Sequence, residues 1–315
     1  MTQQRVAVRG VAALPVEVRR RFTMRRREAM WCYIFISPAV LGLLLFSVGP
    51  MIASLWLSFT SYDMLSSPVW VGTQNYRELI ADPIFLKSLS VTLIYGVVSV
   101  PATMILALIL ALMLNAKLPA LKFFRSAYYL PSVISGVAIA MLWKWMFNGQ
   151  YGLINAALAT IGIHGPSWLT DEHWALRALI FMSLWGFGGT MLIYLAGLQG
   201  IPKELYEAAK VDGASTIRQH LHVTVPMLSS VTLFNLIMGI ISSLQVFAEP
   251  FVLTQGGPNN STLLLSVYLY QNAFQYLKMG YASAIAWVAF GVILIFTLLV
   301  FRSMPMWVHT EADEK

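Results

Sequence analysis

The sequence predicts an all-α integral membrane protein with six transmembrane helices and both termini in the cytoplasm. Three observations predict it. Of 315 residues, 58% are hydrophobic and 11% charged, against about a quarter charged in a soluble domain. Six long stretches are almost free of Lys, Arg, Asp and Glu, at about 32–58, 89–114, 126–147, 175–198, 228–253 and 280–302, and a span needs about 20 such residues. With the N-terminus inside, segments 1–30, 115–125, 200–227 and 303–315, with Arg302 at the last boundary, hold 16 of the 21 Lys and Arg; cytoplasmic segments carry that excess.

The first element is a basic cytoplasmic tail, residues 1–30. It carries Arg5, Arg9, Arg19, Arg20, Arg21, Arg25, Arg26 and Arg27, so the net charge of +7 reads as a membrane anchor and not as a nucleic-acid footprint. The apolar run that follows, Ala29–Leu57, exceeds the roughly 7–15 residues of a signal-peptide core and lacks a small-residue cleavage pattern. It is expected to be a retained span. Its Cys32 is the single cysteine, which leaves no disulfide framework and no cysteine-built metal cluster.

A six-span domain over residues 31–303 comes next, and then a short cytoplasmic tail, 304–315. Trp31, Tyr33 and Trp307 fall at the expected inner interface. Trp70, Tyr76, Trp143 and Trp145 fall at the outer one, as interfacial aromatic belts do. Between spans three and four, Asn148-Gly-Gln-Tyr-Gly152 and His164-Gly-Pro166 are turn chemistry, which predicts an outer loop with one short interfacial helix. Pro38, Pro50, Pro101, Pro131, Gly136, Gly186, Gly188 and Gly189 interrupt the spans. Such breaks fit a solute path and close helix packing through small residues alike.

The longest polar stretch between two spans on the expected inner face is 201–226. Pro202 suits a first helical turn, Lys203–Asp212 is rich in helix formers, and Gly213 suits a left-handed stop. Ser215 can cap a second helix, on which Ile217, Leu221 and Val225 make an apolar stripe before Pro226. This predicts a helix–turn–helix across the cytoplasmic mouth. From the residues alone, a connecting loop is favoured over a docking element.

The same residues resemble the coupling motif of permeases of binding-protein-dependent ABC importers: Glu-Ala-Ala, three residues, Gly, nine residues, Ile or Val, one residue, Leu-Pro. Here it reads Glu207-Ala208-Ala209, Gly213, Val223 and Val225-Pro226, with Val225 in place of the usual Leu. Trp70-Val-Gly-Thr-Gln-Asn-Tyr76 and Thr254-Gln-Gly-Gly-Pro258 resemble the outer-loop signatures of the carbohydrate-uptake type, the maltose and glycerol-phosphate permeases. The resemblance covers about residues 30–303.

It implies the type I importer permease fold in a bacterial inner membrane. It further implies a second related permease, expected as a heterodimer, two ATPase subunits and an extracytoplasmic solute-binding protein. The coupling residues it implies are Glu207, Ala208, Ala209, Asp212, Gly213 and Pro226. ATP and Mg2+ are expected in the partner ATPase and no cofactor in this chain, which has no G-x-x-x-x-G-K-[ST] phosphate loop.

For the solute path, sugars call for hydroxyl-matching hydrogen bonds and aromatic faces. Span four offers Trp185, Gly186, Phe187 and Thr190; span five offers Ser242, Ser243, Gln245 and Glu249. The resemblance to the maltose permease implies solute contacts on these two helices, although the identities differ. Each residue is also compatible with helix packing, and Glu249 with an interfacial charge. A glycerol-phosphate or polyol solute is the alternative within the family. A secondary transporter is disfavoured by six spans and one marginal intramembrane carboxylate. His220 and His222 are too close for the i, i+4 zinc-protease pattern.

Overall fold

The computed structural model describes residues 17–116 and 120–308, with side chains from residue 24 onward. Most of the basic tail, including Arg5, Arg9 and the side chains of Arg19, Arg20 and Arg21, lies outside the described residues, as do Lys117 and 309–315. The chain divides into two compact units, 1–56 and 57–315.

The first unit is helical. α1 (Glu17–Leu43) runs through a π turn at Leu44–Val48 into α2 (Gly49–Leu57). Residues 17–30, expected as tail, are therefore helical and continuous with span one. Their long Arg, Glu and Met side chains are good helix formers. The helix that carries candidate span one, Met24–Leu57, is 34 residues long and includes Arg25, Arg26, Arg27 and Glu28 at its start.

The second unit opens with a hairpin, β1 (Thr60–Ser61) antiparallel to β2 (Val69–Trp70), and a short helix α3 (Gln74–Ala81). α4 (Pro83–Leu114) is span two. It starts earlier than the charge-free stretch because Asp82 caps it, accepting from Ile84 N at 2.8 Å, and Pro83 occupies its first position.

Span three differs from expectation. α5 (Leu121–Tyr129) and a 3-10 turn at Leu130–Val133 meet α6 (Gly136–Met146) at 97°. Pro131 lacks the N–H that would continue the ladder, and Ile134 and Ser135 are extended, with ψ of 142° and 134°. α7 (Leu153–Thr160) is the expected loop helix. Span four is also bent, by 44°, between α8 (Glu172–Ser183) with the turn Leu184–Gly186 and α9 (Gly188–Gly200).

α10 (Lys203–Val211), α11 (Thr216–Gln219), a π turn at His220–Thr224 and α12 (Val225–Met227) form the 201–226 loop. α13 (Ser229–Leu244) and α14 (Ala248–Leu253) make span five. α15 (Leu265–Tyr270), a π turn at Gln271–Gln275, α16 (Met279–Ser303) and a 3-10 turn at Met304–Met306 follow. Among the described residues, four helices are long and apolar enough to cross a membrane, or six if each of the two bent pairs is one span.

Two cores hold this unit together. At the loop end, Ala107 and Ala111 of α4 pack on Met191, Tyr194 and Leu198 of α9. At the far end α4, α6, α8, α14 and α15 share one cluster around Tyr95, Trp143, Leu179, Leu253 and Val267. Trp143, expected in the interfacial belt, is 6% exposed and inside this cluster. Its ring meets Phe181 of α8 edge-on at 5.7 Å and Trp185 at 5.5 Å, so it is turned inward toward span four. Lipid is as apolar as these side chains, so close fit carries the association. A Cβ on Gly96 would stand 3.0 Å from Ser243 Oγ, and one on Gly239 would stand 2.8 Å from Val100 Cγ1. Both fix the approach of α4 to α13. At the far end Gly280 N donates to Tyr62 O at 3.2 Å, and a Cβ there would meet Thr60 O at 2.0 Å.

Candidate functional site

The 201–226 loop closes as its residues dictate. Gly213 takes φ +74°. Its N–H donates to Lys210 O at 3.0 Å, and Ala214 N donates to Ala209 O at 2.9 Å. This pair of bonds is the Schellman stop, which needs a left-handed residue. Ser215 Oγ receives Arg218 N at 3.5 Å, a long capping bond.

The loop is tied to itself from inside. Tyr206 Oη and Thr224 Oγ1 are 2.9 Å apart, and Thr224 is 1% exposed. His220 Nδ1 shares that hydroxyl at 3.1 Å. Gln219 Nε2 donates to Ala214 O at 2.9 Å. These inward residues leave Glu207, Ala208, Asp212 and Gly213 exposed on the other side, with Ala209 and Pro226 half-buried. Val211 at 88%, Ile217 at 71% and Leu221 at 58% are exposed around them. The π turn at His220–Thr224 interrupts the regular period that the stripe Ile217–Leu221–Val225 assumes.

The span residues fall into two environments. Trp185 is half-buried and meets Trp143 edge-on, with centroids 5.5 Å apart and planes at 79°. Trp143 continues to Phe147 at 5.0 Å, and Phe147 to Trp168 at 5.8 Å. Gly186 is exposed with open space at its Cβ position, and Thr190 is half-buried. Phe187 points the other way, into the loop-end core against Tyr128 at 5.9 Å. On span five, Ser242 and Gln245 are exposed. Ser243 is buried and donates to Ile240 O at 3.0 Å. Glu249 lies against the start of α6, where a Cβ on Gly136 would stand 2.9 Å from its Oε1. The structure therefore brings Glu249 and Gly136 together, a relationship the sequence did not signal. Trp185 and Glu249 border the same far-end core, and Phe187 and Ser243 face protein.

The far end, opposite the loop, carries polar constructions that sequence reading passed over. Asp82 accepts Tyr281 Oη at 2.8 Å and Tyr268 Oη. Burial works against its charge, but these hydroxyls and the backbone N–H groups of Ile84 and Phe85 outweigh burial and hold the carboxyl below its ordinary value. Tyr268 is pushed up to about 12, first by burial and then by its bond to Asp82.

A family model described as the binding-protein-dependent transport system inner membrane component matches residues 103–306. The chain belongs to this family. The permease is 42% identical to the probable ABC transporter permease protein YesP of Bacillus subtilis over 92% of this chain and 95% of that one. It is 38% identical to the lactose transport system permease protein LacF of Rhizobium radiobacter, over 89% and 96%. It is 36% identical to the arabinooligosaccharides permease protein AraP of Bacillus subtilis, over 85% and 86%. The fold of the permease matches a chain of a bacterial ABC transporter involved in import of the acidic polysaccharide alginate, with a TM-score of 0.80 over 91% of this chain and 99% of that one at 24% identity. The chain is thus a transport subunit, a multi-pass permease of the ABC-importer type.

Proposed function

We propose that this permease forms half of the path of an ATP-driven sugar importer, and that α10 is the element through which a separate ATPase drives it. The observation that carries the reading is the geometry of the 201–226 loop. A short helix is closed by a Schellman stop at Gly213 and tied inward through Tyr206, so it presents Glu207, Ala208, Asp212 and Gly213 outward, with Ala209 half-buried, beside exposed apolar side chains. A rigid, low-profile helix with an apolar rim suits a protein cleft. This loop faces the cytoplasm, as do both termini, and the far end faces outward. Pro226 ends the element beside span five.

In this reading the partners are a second related permease, two ATPase subunits that bind ATP and Mg2+, and an extracytoplasmic solute-binding protein. Kinship to permeases named for lactose and arabinooligosaccharides favours a sugar. The exposed or half-buried Trp185, Gly186, Thr190, Ser242, Gln245 and Glu249 line the path, with Phe187 and Ser243 packed behind them.

The test is uptake in right-side-out vesicles containing the co-expressed ATPase, second permease and binding protein. Uptake of a sugar that requires ATP hydrolysis and the binding protein is expected. Uptake indifferent to both would overturn the importer reading, and selectivity for glycerol phosphate would overturn the sugar reading.

A further inference from the structure

We infer that the far end of this permease holds a second, preformed binding cleft for a neutral polyhydroxylated solute, above the path and separate from it. The inference rests on the orientation and sugar class given under Proposed function. The cleft has a volume of about 610 Å³, within the roughly 300–1,000 Å³ of small-molecule sites. It lies between the turn after α6, the segment before α8 and the Gly257-Pro258 turn after α14.

Its chemistry points to the ligand class. The rim carries Gln150, Ser167 and Thr170, all exposed, and their side-chain polar groups make no hydrogen bond among the described residues. The floor is Phe147, 1% exposed, and Leu253, 4% exposed. An amide and two hydroxyls over an apolar floor match a solute with hydroxyl edges and C–H faces. No carboxylate lines the cleft. Its one ionic side chain, Lys144, donates to Val252 O at 2.9 Å and so serves the wall. Another far-end cavity, of about 400 Å³, is lined by Asp63, Glu78 and Asp82 among others and is chemically distinct.

The walls are held before any solute arrives. Asn155 Nδ2 donates to Gly149 O at 2.9 Å and Pro166 O at 3.2 Å, and its Oδ1 accepts Trp168 Nε1 at 2.7 Å. On the opposite wall Thr254 Oγ1 bonds Thr262 Oγ1 at 2.7 Å, and Asn259 Nδ2 donates to Glu172 Oε2 at 3.2 Å. A cleft ordered in advance loses little entropy on binding.

Packed side chains link its floor to the residues of the path. Leu253 of the floor is one helical turn beyond Glu249 on α14, and Phe147 joins Trp185 through Trp143 by ring contacts of 5.0 and 5.5 Å.

The experiment uses the complete transporter. In a Cys32→Ser background, Ser167→Cys is labelled with a membrane-impermeant maleimide in the presence of lactose, maltose or glycerol 3-phosphate. In parallel, Thr170→Trp, which fills the cleft, is compared with Ile161→Trp, an exposed position outside it. Several-fold slower labelling with a neutral disaccharide and not with glycerol 3-phosphate is expected. Sugar uptake should fall several-fold in Thr170→Trp and stay at the parent level in Ile161→Trp. Should Thr170→Trp fail to assemble, the labelling decides. Labelling indifferent to every sugar in a transporter that imports one would overturn the cleft and leave the functional reading standing. Import of glycerol 3-phosphate alone would overturn both.

Discussion

The hydroxyl of Tyr281 stands 2.8 Å from the carboxylate of Asp82, 199 residues earlier in the chain, so the first residue before span two is bonded to the first turn of span six. Asp82 also caps α4 and accepts Tyr268 Oη. One half-buried carboxylate therefore joins three elements of the far end.

Asp82→Asn keeps an oxygen for the cap and loses the charge that favours both phenols. It should lower thermal stability in detergent by about 1 kcal/mol near pH 7, a charge-assisted bond discounted for solvent exposure. The carboxyl is held below its ordinary value of 3.8. Its contribution is complete above that value and is lost as pH falls through the lowered one. Thermal scans from pH 7 to pH 3 should show the difference between wild type and variant narrowing toward the acid end. A constant difference would contradict this account.

Gly188 and Gly189 are neighbours with opposite demands. A Cβ on Gly188 would stand 2.5 Å from Ser132 Oγ, 2.6 Å from Tyr128 O and 2.9 Å from Tyr129 Cα, while one on Gly189 meets nothing within 4 Å. Gly188→Ala should destabilise by roughly 1–3 kcal/mol through forced movement at the bend of span three. Gly189→Ala should be neutral. Detergent melting curves of the pair, measured side by side, check the contrast.

Gly213→Val puts a β-branched residue at φ +74°. The strain is about 1–2 kcal/mol and is relieved by opening the stop of α10. The variant should insert normally yet lose co-purifying ATPase and uptake. Uptake at the wild-type rate with the ATPase still bound would remove α10 from the drive.

Tyr206→Phe removes one of the two polar contacts to the Thr224 hydroxyl and leaves His220 Nδ1. The loss is about 1 kcal/mol, enough to loosen α10 without unfolding it. ATPase should still co-purify, and ATP hydrolysed per solute imported should rise.

Trp185→Ala tests the path itself. Uptake should fall several-fold, with the half-saturating solute concentration raised. Unchanged kinetics would assign Trp185 to packing against Trp143 alone.

The loop was the most legible part of the chain, because its signals are local. Gly213 and Ser215 mark a helix stop and a cap by backbone chemistry and are found in those roles, while Pro202 stands one residue earlier than expected, just before the first turn of α10. Span existence was legible from charge alone. The bends were not, although Pro131 and Gly136 announced a break: a 97° turn depends on what receives α6, and that is α14, more than a hundred residues later. Trp143 was misplaced for the same reason, since composition cannot tell a belt tryptophan from one turned inward. The cap at Asp82 and the contact of Glu249 with Gly136 join residues with no shared motif, and only tertiary structure discloses them.

Asn155 holds Gly149, Pro166 and Trp168 through a single carboxamide, and Gly165 leaves it room, a Cβ there standing 2.0 Å from Oδ1. Segment 148–168 is for that reason a cassette. Anyone transplanting selectivity between related permeases must exchange it whole, because a chimera joined inside it would pair one parent's carboxamide with the other parent's loops.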